Sequence, residues 1–422
     1  MKKLLILGGN YSTVLVVKYA QAMGIHTIVT SINPTGEAKD IADESIDIDV
    51  TDHESLVTYI RENNVDGVMT GASEFHLLNM IRLCKKAGLP VYATEEQWNI
   101  CQNKLAFKEL CRKYGVPCVK EFYIQDDPKT FEYPVIVKPS DGCSARGITV
   151  CQNVTEFEIA TEKALENSTE KKLIIEKFIE NKGTTMSVRY IAVDGELYLE
   201  AVGDRYVLDS NKGKALITAA AFYPSKYTEF YINNVDEKVK NMFKGLGVKN
   251  GVLFMESIAN PDGIWFYEMG LRISGGMTYK ITEQTNDVNE LKMLINYAVS
   301  GKMCSKEDVK KIDPHFNGYI SASISLPLRE GKISKITGID KIKSYSDIGD
   351  ITQYWYEGDT ILPKHIGNLD QLFARIPIIT KGMENLNNLI FAIKENISVL
   401  DENGHEMIIW SKLNEIHESY SN

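Results

Sequence analysis

The apolar positions of the chain change period along its length. In residues 1–100, short unbroken apolar runs alternate with stretches of helical period. Residues 3–7 (KLLIL), 26–30 (HTIVT), 67–70 (GVMT) and 89–92 (LPVY) read as strands, and 12–23 as a helix between the first two. Unbroken runs joined by helical crossovers predict parallel strands covered on both faces, a β-α-β arrangement. From about residue 130 the runs read as strands set off by turn residues, at 133–139, 148–150 and 173–180, and as a hairpin of 186–193 with 196–202 around Asp194-Gly195. Residues 288–298 return to a helical period. The last hundred residues mix strands at 319–326 and 332–336 with an amphipathic helix at 382–397. The expected class is α/β followed by α+β, in three units of 1–100, 101–315 and 316–422.

The richest chemistry lies in residues 251–276. Val252–Ser257 and Ile264–Met269 are β-branched and aromatic, and Asn260-Pro261-Asp262-Gly263 between them is a turn, so the segment reads as a hairpin. Pro261 suits the second position of a type I turn, and Gly263 the left-handed residue after it, giving a three-residue loop with a bulge. Asn260 then opposes Ile264, and Glu256 falls opposite Glu268 on one face. Two carboxylates so placed lie roughly 5 Å apart at Cβ and repel. Either one is protonated or a cation sits between them, and a hard divalent ion, chiefly Mg2+, suits the pair with phosphate oxygens completing its shell. A solvated edge hairpin is the other reading. Arg272 follows beside Gly275-Gly276, where backbone can approach a ligand closely.

Composition excludes several classes. Hydrophobic content of 44% and charged content of 25% are ordinary for a globular protein. The balance of 47 basic against 57 acidic residues gives −10, without a basic tract, so nucleic acid is not an expected partner. The apolar run in MKKLLILGGNYS is too short for a signal peptide, and no run approaches the ~20 residues of a membrane span. Seven cysteines without C-x-x-C argue against a disulfide framework or zinc site and suggest a reducing cytoplasm.

Other stretches carry candidate chemistry. Gly8-Gly9-Asn10 invites a dinucleotide reading, but a G-x-G-x-x-G from Gly8 needs glycines where Asn10 and Thr13 stand. The turn instead closes a strand onto a helix, or admits a small anion at the helix N-terminus. Glu74, near a helix start, suits a first-turn carboxylate. Asn103-Lys104 opens an amphipathic helix ending at Gly115. Lys138 ends a strand and precedes Ser140-Asp141-Gly142-Cys143-Ser144-Ala145-Arg146-Gly147, a small-residue loop whose amides suit phosphate, with Lys138 as a point charge on the same group. A flexible hairpin tip is the alternative. Cys143 has no histidine near it in sequence and reads as a small loop residue rather than a nucleophile. Residues 173–180 read as a strand whose backbone at Glu176 suits an adenine edge with Ile179 on the ring, or as a hinge. Arg205 is a candidate for a substrate carboxylate, which a guanidinium grips bidentately, or for a surface ion pair.

Lys104; Val137-Lys138-Pro139 with the loop to Gly147; Glu176-Lys177-Phe178-Ile179; Glu256; and Glu268 followed by Arg272, in that order, resemble the ATP-grasp superfamily over roughly residues 1–400. The resemblance is to its biotin carboxylase-like branch, to amino-acid ligases and to N5-carboxyaminoimidazole ribonucleotide synthetases. It implies an ATP-grasp fold with an N-terminal Rossmann-like pre-ATP-grasp domain, a nucleotide and metal domain, and a small C-terminal α+β domain. By position it implies that Lys104 and Lys138 hold ATP phosphates, that the loop with Ser144 and Gly147 closes over them, and that Glu176 and Ile179 frame the adenosine. Glu256 and Glu268 would bind Mg2+, with Mn2+ as the alternative ion. Arg272 and Lys138 would be catalytic, and Arg205, Arg272 and Glu74 would face the substrate. The implied activity is an ATP-dependent carboxylate–amine ligase acting through an acyl phosphate on small molecules, in the cytoplasm, with a homodimer as one assembly. Two departures stand out. Gly270 replaces the usual Asn of E-x-N-x-R, and Thr185 the Glu of G-x-E-x-S-V. A bicarbonate-activating carboxylase or synthetase of the same superfamily, and a non-catalytic nucleotide-binding protein, are the rival readings.

Overall fold

The computed structural model describes residues 1–9, 11–139, 147–169, 171–180, 184–207, 218–367 and 369–410. Strands β1 (Lys3–Leu7), β2 (His26–Thr30), β3 (Glu44–Ile46) and β4 (Gly67–Thr70) form a parallel sheet in the order β3-β2-β1-β4. β1 and β4 are apolar and buried and β2 nearly so, as their runs required. The turn after β1 needs its glycine. Gly8 has φ +102°, and a Cβ there would stand 2.6 Å from the His76 ring. Two expectations fail here. Residues 89–92 are not a strand, and the fourth strand is Glu44–Ile46 instead. Pro90 offers no N–H to a ladder, whereas Glu-Ser-Ile is too short and polar to stand out.

The helix Lys104–Tyr114 begins where Asn103 Oδ1 accepts from the Leu105 and Ala106 N–H groups at 3.0 and 3.1 Å. It ends at Gly115, φ +66°. Beyond it, β5 (Glu121–Phe122), β6 (Val135–Pro139), β7 (Thr149–Cys151) and β8 (Leu173–Lys177) make a small antiparallel sheet in the order β5-β8-β6-β7.

The largest sheet organises the rest. It contains β9 (Thr184–Val193), β10 (Glu196–Val207), β11 (Thr218–Tyr223), β12 (Gly251–Asn260), β13 (Gly263–Gly270) and β14 (Ile320–Pro327). After β15 (Gly331–Thr337) it resumes with β16 (Thr352–Gln353), and after β17 (Thr360–Ile361) with β18 (Leu372–Thr380). The order is β13-β12-β9-β10-β11-β14-β18-β16, so the sheet is continuous across residue 316. β17, β15 and β19 (Ser398–Asp401) form a three-stranded satellite. One hydrophobic core joins the N-terminal sheet to β9, β12 and β13. A second packs β11, β14 and β18 under the helix Met383–Asn396. Among the described residues no helix is long and apolar enough to cross a membrane.

Glu256 does oppose Glu268, but not for the expected reason. The loop is the two residues Pro261-Asp262. Asn260 opposes Gly263, Ala259 opposes Ile264, and Ser257 opposes Phe266. The register then shifts, so Tyr267 is the extra residue and Glu256 meets Glu268. The bulge lies inside the strand rather than in the turn, where Gly263 is close to extended at φ +156°. Phe266, next to the bulge, gives its N–H to Pro117 O at 3.0 Å, outside the hairpin.

Candidate active site

One cleft of about 450 Å3 runs across the large sheet. Its wall takes Glu268 from β13, Phe254 and Glu256 from β12, Arg189 from β9, Arg205 from β10, Tyr223 from β11, Ser323 and Ser325 from β14, and Arg375 from β18. Arg272 and Ser274-Gly275-Gly276 close it after β13. Strand pairing explains the gathering: Phe254 is registered with Arg189, Glu256 with Glu268, Ala221 with Ser323, and Ser325 with Arg375.

Two arginines at the cleft are paired with acids. Arg205 Nη1 donates to Glu256 Oε2, while its Nε and Nη2 donate to Thr218 Oγ1 at 3.1 and 2.8 Å. Arg205, expected to await a substrate carboxylate, thus already holds Glu256. Arg272 Nε donates to Glu74 and its guanidinium lies 5.1 Å from the centre of the Phe254 ring. Glu74 is the first-turn residue of the helix Glu74–Ala87, capped by Ser73, and also accepts from Trp98 Nε1 at 3.0 Å. Its carboxylate, which the resemblance places toward the substrate, pairs with Arg272 and orients it. The surrounding protein and the facing Glu256 push the Glu268 carboxyl up, against the pull of Arg272, Lys104 and Arg205.

The lysines form a second group. Glu176 receives Lys138 Nζ at 2.5 Å and also Lys108 Nζ, which is fully buried and additionally lies 3.3 Å from Glu121. The Glu176 carboxylate is therefore committed to two ammonium groups, while the adenosine expectation concerned the backbone of its strand. Burial pulls Lys138 down against the opposing pull of Glu176. The charge of Lys104, at the first turn of its helix, acts on both Lys138 and Glu268, so the nucleotide and metal candidates share one field. Ile179 follows β8, half-buried. Gly147 has φ +72° and packs on Pro139, 2.9 Å from where its Cβ would be. Ser144 and Cys143 lie outside the described residues.

Residues 83–270 match the family model described as D-ala D-ala ligase C-terminus. The chain has an ATP-grasp fold. It is 23% identical over 351 residues to the formate-dependent phosphoribosylglycinamide formyltransferase of Sulfurisphaera tokodaii, covering 81% of this chain and 85% of that protein. The L-amino acid ligase of Bacillus licheniformis has the same fold, with a TM-score of 0.73 at 18% identity, covering 95% of this chain and 99% of that one. So does the biotin carboxylase domain dimer of Hydrogenobacter thermophilus 2-oxoglutarate carboxylase, whose structure holds MgADP and bicarbonate, with a TM-score of 0.73 at 22% identity over 94% and 91%.

In this fold the glycine at 270 has a steric cause. A Cβ there would lie 2.4 Å from Phe254 Cε1, so the ring fills the place of a longer residue. Among the described residues no three His, Cys, Asp or Glu side chains gather as a metal site. The oxygen pair of Glu256 and Glu268 is the donor type a hard divalent ion takes, and among the described residues Glu268 has no ion-pair partner of its own. It offers no third protein carboxylate.

Three further residues went unread in the sequence. Lys108 sits one helical turn after Lys104, yet is 1% exposed. Arg189 and Arg375 are single charges within otherwise uncharged strands, TTMSVRYIAV and LFARIPIIT. A lone charge in such a strand is the signal that was available.

Proposed function

We propose that the protein is an ATP- and Mg2+-dependent ligase that joins a small carboxylic acid to an amine through an acyl phosphate. The observation that carries this is Glu256 facing Glu268 beside an Arg272 oriented by Glu74, with Lys104 and Lys138 in the same electrostatic field. The substrate carboxylate attacks the γ-phosphorus of ATP and ADP leaves. The amine then attacks the acyl carbon, and the C–O bond to phosphate breaks. Such chemistry needs positioning and neutralisation of charge rather than a covalent nucleophile. Arg272 stabilises the transferred phosphoryl group, and Lys138, steered by Glu176, holds the nucleotide phosphates. Mg2+ held by Glu256 and Glu268 would supply charge neutralisation at those phosphates. Ile179 and Gly147 contribute to the nucleotide side, and the Glu268 end receives the acid. A homodimer working in the cytoplasm accompanies this reading.

Glu268→Gln is expected to abolish Mg-dependent ADP release from ATP while the thermal transition and circular dichroism stay as in wild type. Near-wild-type release would overturn the assignment. Activation of bicarbonate is the second reading, favoured by the bicarbonate in the similar biotin carboxylase domain. Bicarbonate-stimulated ADP release, with none from a panel of organic acids and amines, would select it.

A further inference from the structure

Four guanidinium groups line the cleft, and they are not equivalent. Arg205 and Arg272 are answered by Glu256 and Glu74. Arg189 and Arg375 are 3% and 7% exposed, and among the described residues neither has an ion-pair partner. The Nε of each is buried without a hydrogen-bond acceptor. An unpaired buried charge is costly to the folded protein unless something supplies its counter-charge. Glu290, Glu200 and Glu256 act on Arg189 through space without pairing with it, and burial pushes the Glu200 and Glu290 carboxyls up, so they answer it only in part.

The two arginines flank one turn. Arg189 Nη2 donates to Ser274 Oγ at 2.7 Å. Arg375 is hydrogen-bonded to Tyr354, whose hydroxyl donates to Met277 Sδ at 3.8 Å. Gly275 and Gly276 lie between, and a Cβ at Gly276 would meet Arg189 Nη2 at 3.2 Å.

We infer that Arg189 and Arg375 form an anion subsite at the Ser274–Met277 turn in the cleft wall, so that one substrate carries a second acidic group, carboxylate or phosphoryl, besides the carboxylate that is activated. This rests on the ligase reading for what happens beside Glu268, but the subsite itself is a matter of binding. Ser323 and Ser325, beside Arg375 in the cleft wall, supply hydroxyls for the same anion.

The test is calorimetric titration of the full chain, with and without MgADP, using butyrate, succinate and 3-phosphonopropionate as probes. Succinate or 3-phosphonopropionate is expected to bind at least tenfold more tightly than butyrate, and the tighter of the two names the group. Arg189→Met and Arg375→Met should each bring the dianions to the level of butyrate, with partial recovery in the lysine variants. MgADP affinity should be unchanged in both. Equal affinity for the three probes, or a preference that survives Arg375→Met, would overturn the inference. Loss of MgADP binding in the wild-type chain would instead count against the ligase reading, since the anion preference is also read without nucleotide.

Discussion

The hairpin and the Ser274–Met277 turn each bring a pair of arginines into the same cleft, yet their charges are balanced differently. Two of the guanidiniums have a carboxylate: Arg205 with Glu256, and Arg272 with Glu74. Arg189 on β9 and Arg375 on β18, which both reach the Ser274–Met277 turn, have no ion-pair partner among the described residues. A matched pair fixes a side chain in place before a ligand arrives, which suits groups that must meet a transferring phosphoryl group in one geometry. An unmatched one leaves its charge to the ligand, which suits recognition.

That contrast can be broken by removing one charge at a time. Arg272→Met should have the largest effect, a fall of about 100-fold or more in turnover, roughly the loss of one preorganised charge at a developing anion. Steady-state ADP release measures it, and a fall under fivefold would separate Arg272 from the chemistry. Lys108→Met should come next. It leaves the buried Glu176 with Lys138 as its remaining close ammonium and should destabilise by about 3 kcal/mol in urea unfolding, the scale for breaking a buried pair. It should also weaken ATP binding, because Lys138 loses its fixed partner geometry. Arg375→Met abandons no carboxylate, so it should change unfolding free energy by less than about 0.5 kcal/mol or stabilise. A loss as large as that of Lys108→Met would show that Arg375 has a partner after all.

The smallest effect concerns pH. Glu200 in the folded chain is pushed well above the usual carboxylate range by burial and by Glu290. The folded state therefore holds a proton that the unfolded chain releases. The associated stability is full below the unfolded carboxylate range and is lost as pH rises through the folded value. Glu200→Gln should flatten the decline of the melting temperature on the alkaline side, and parallel melting curves for the two proteins would refute this.

The course of the hairpin shows where local reading stops. The apolar runs gave β12 and β13, and parity then required one odd residue to bring Glu256 and Glu268 to the same face. The odd residue was expected at Gly263, because turn chemistry is all that neighbouring residues reveal. It sits at Tyr267, where Phe266 donates outside the hairpin to Pro117, about 150 positions away in the chain. Glu74 reads as a first-turn carboxylate, Glu176 as strand backbone, and Arg205 as a carboxylate grip or one half of an ion pair, each without a named partner. Each proved to be bound to another charged residue distant in sequence. Lys108 escaped notice because an i+4 lysine after Lys104 looks like ordinary helix surface until a second sheet covers it.

Residue order alone determined the strand–helix alternation at the start, the helix beginning at Asn103, the later hairpins, and the set of lysines, glutamates and arginine that resembles ATP-grasp enzymes, because periodicity, caps and turns act over a few residues. Tertiary structure decided which charge answers which, why residue 270 has no side chain, and that Arg375 shares a cleft with Glu268. Those are facts about strands brought together in one sheet from positions far apart, and an ion pair or a steric clash depends on distance in space, which sequence separation does not encode.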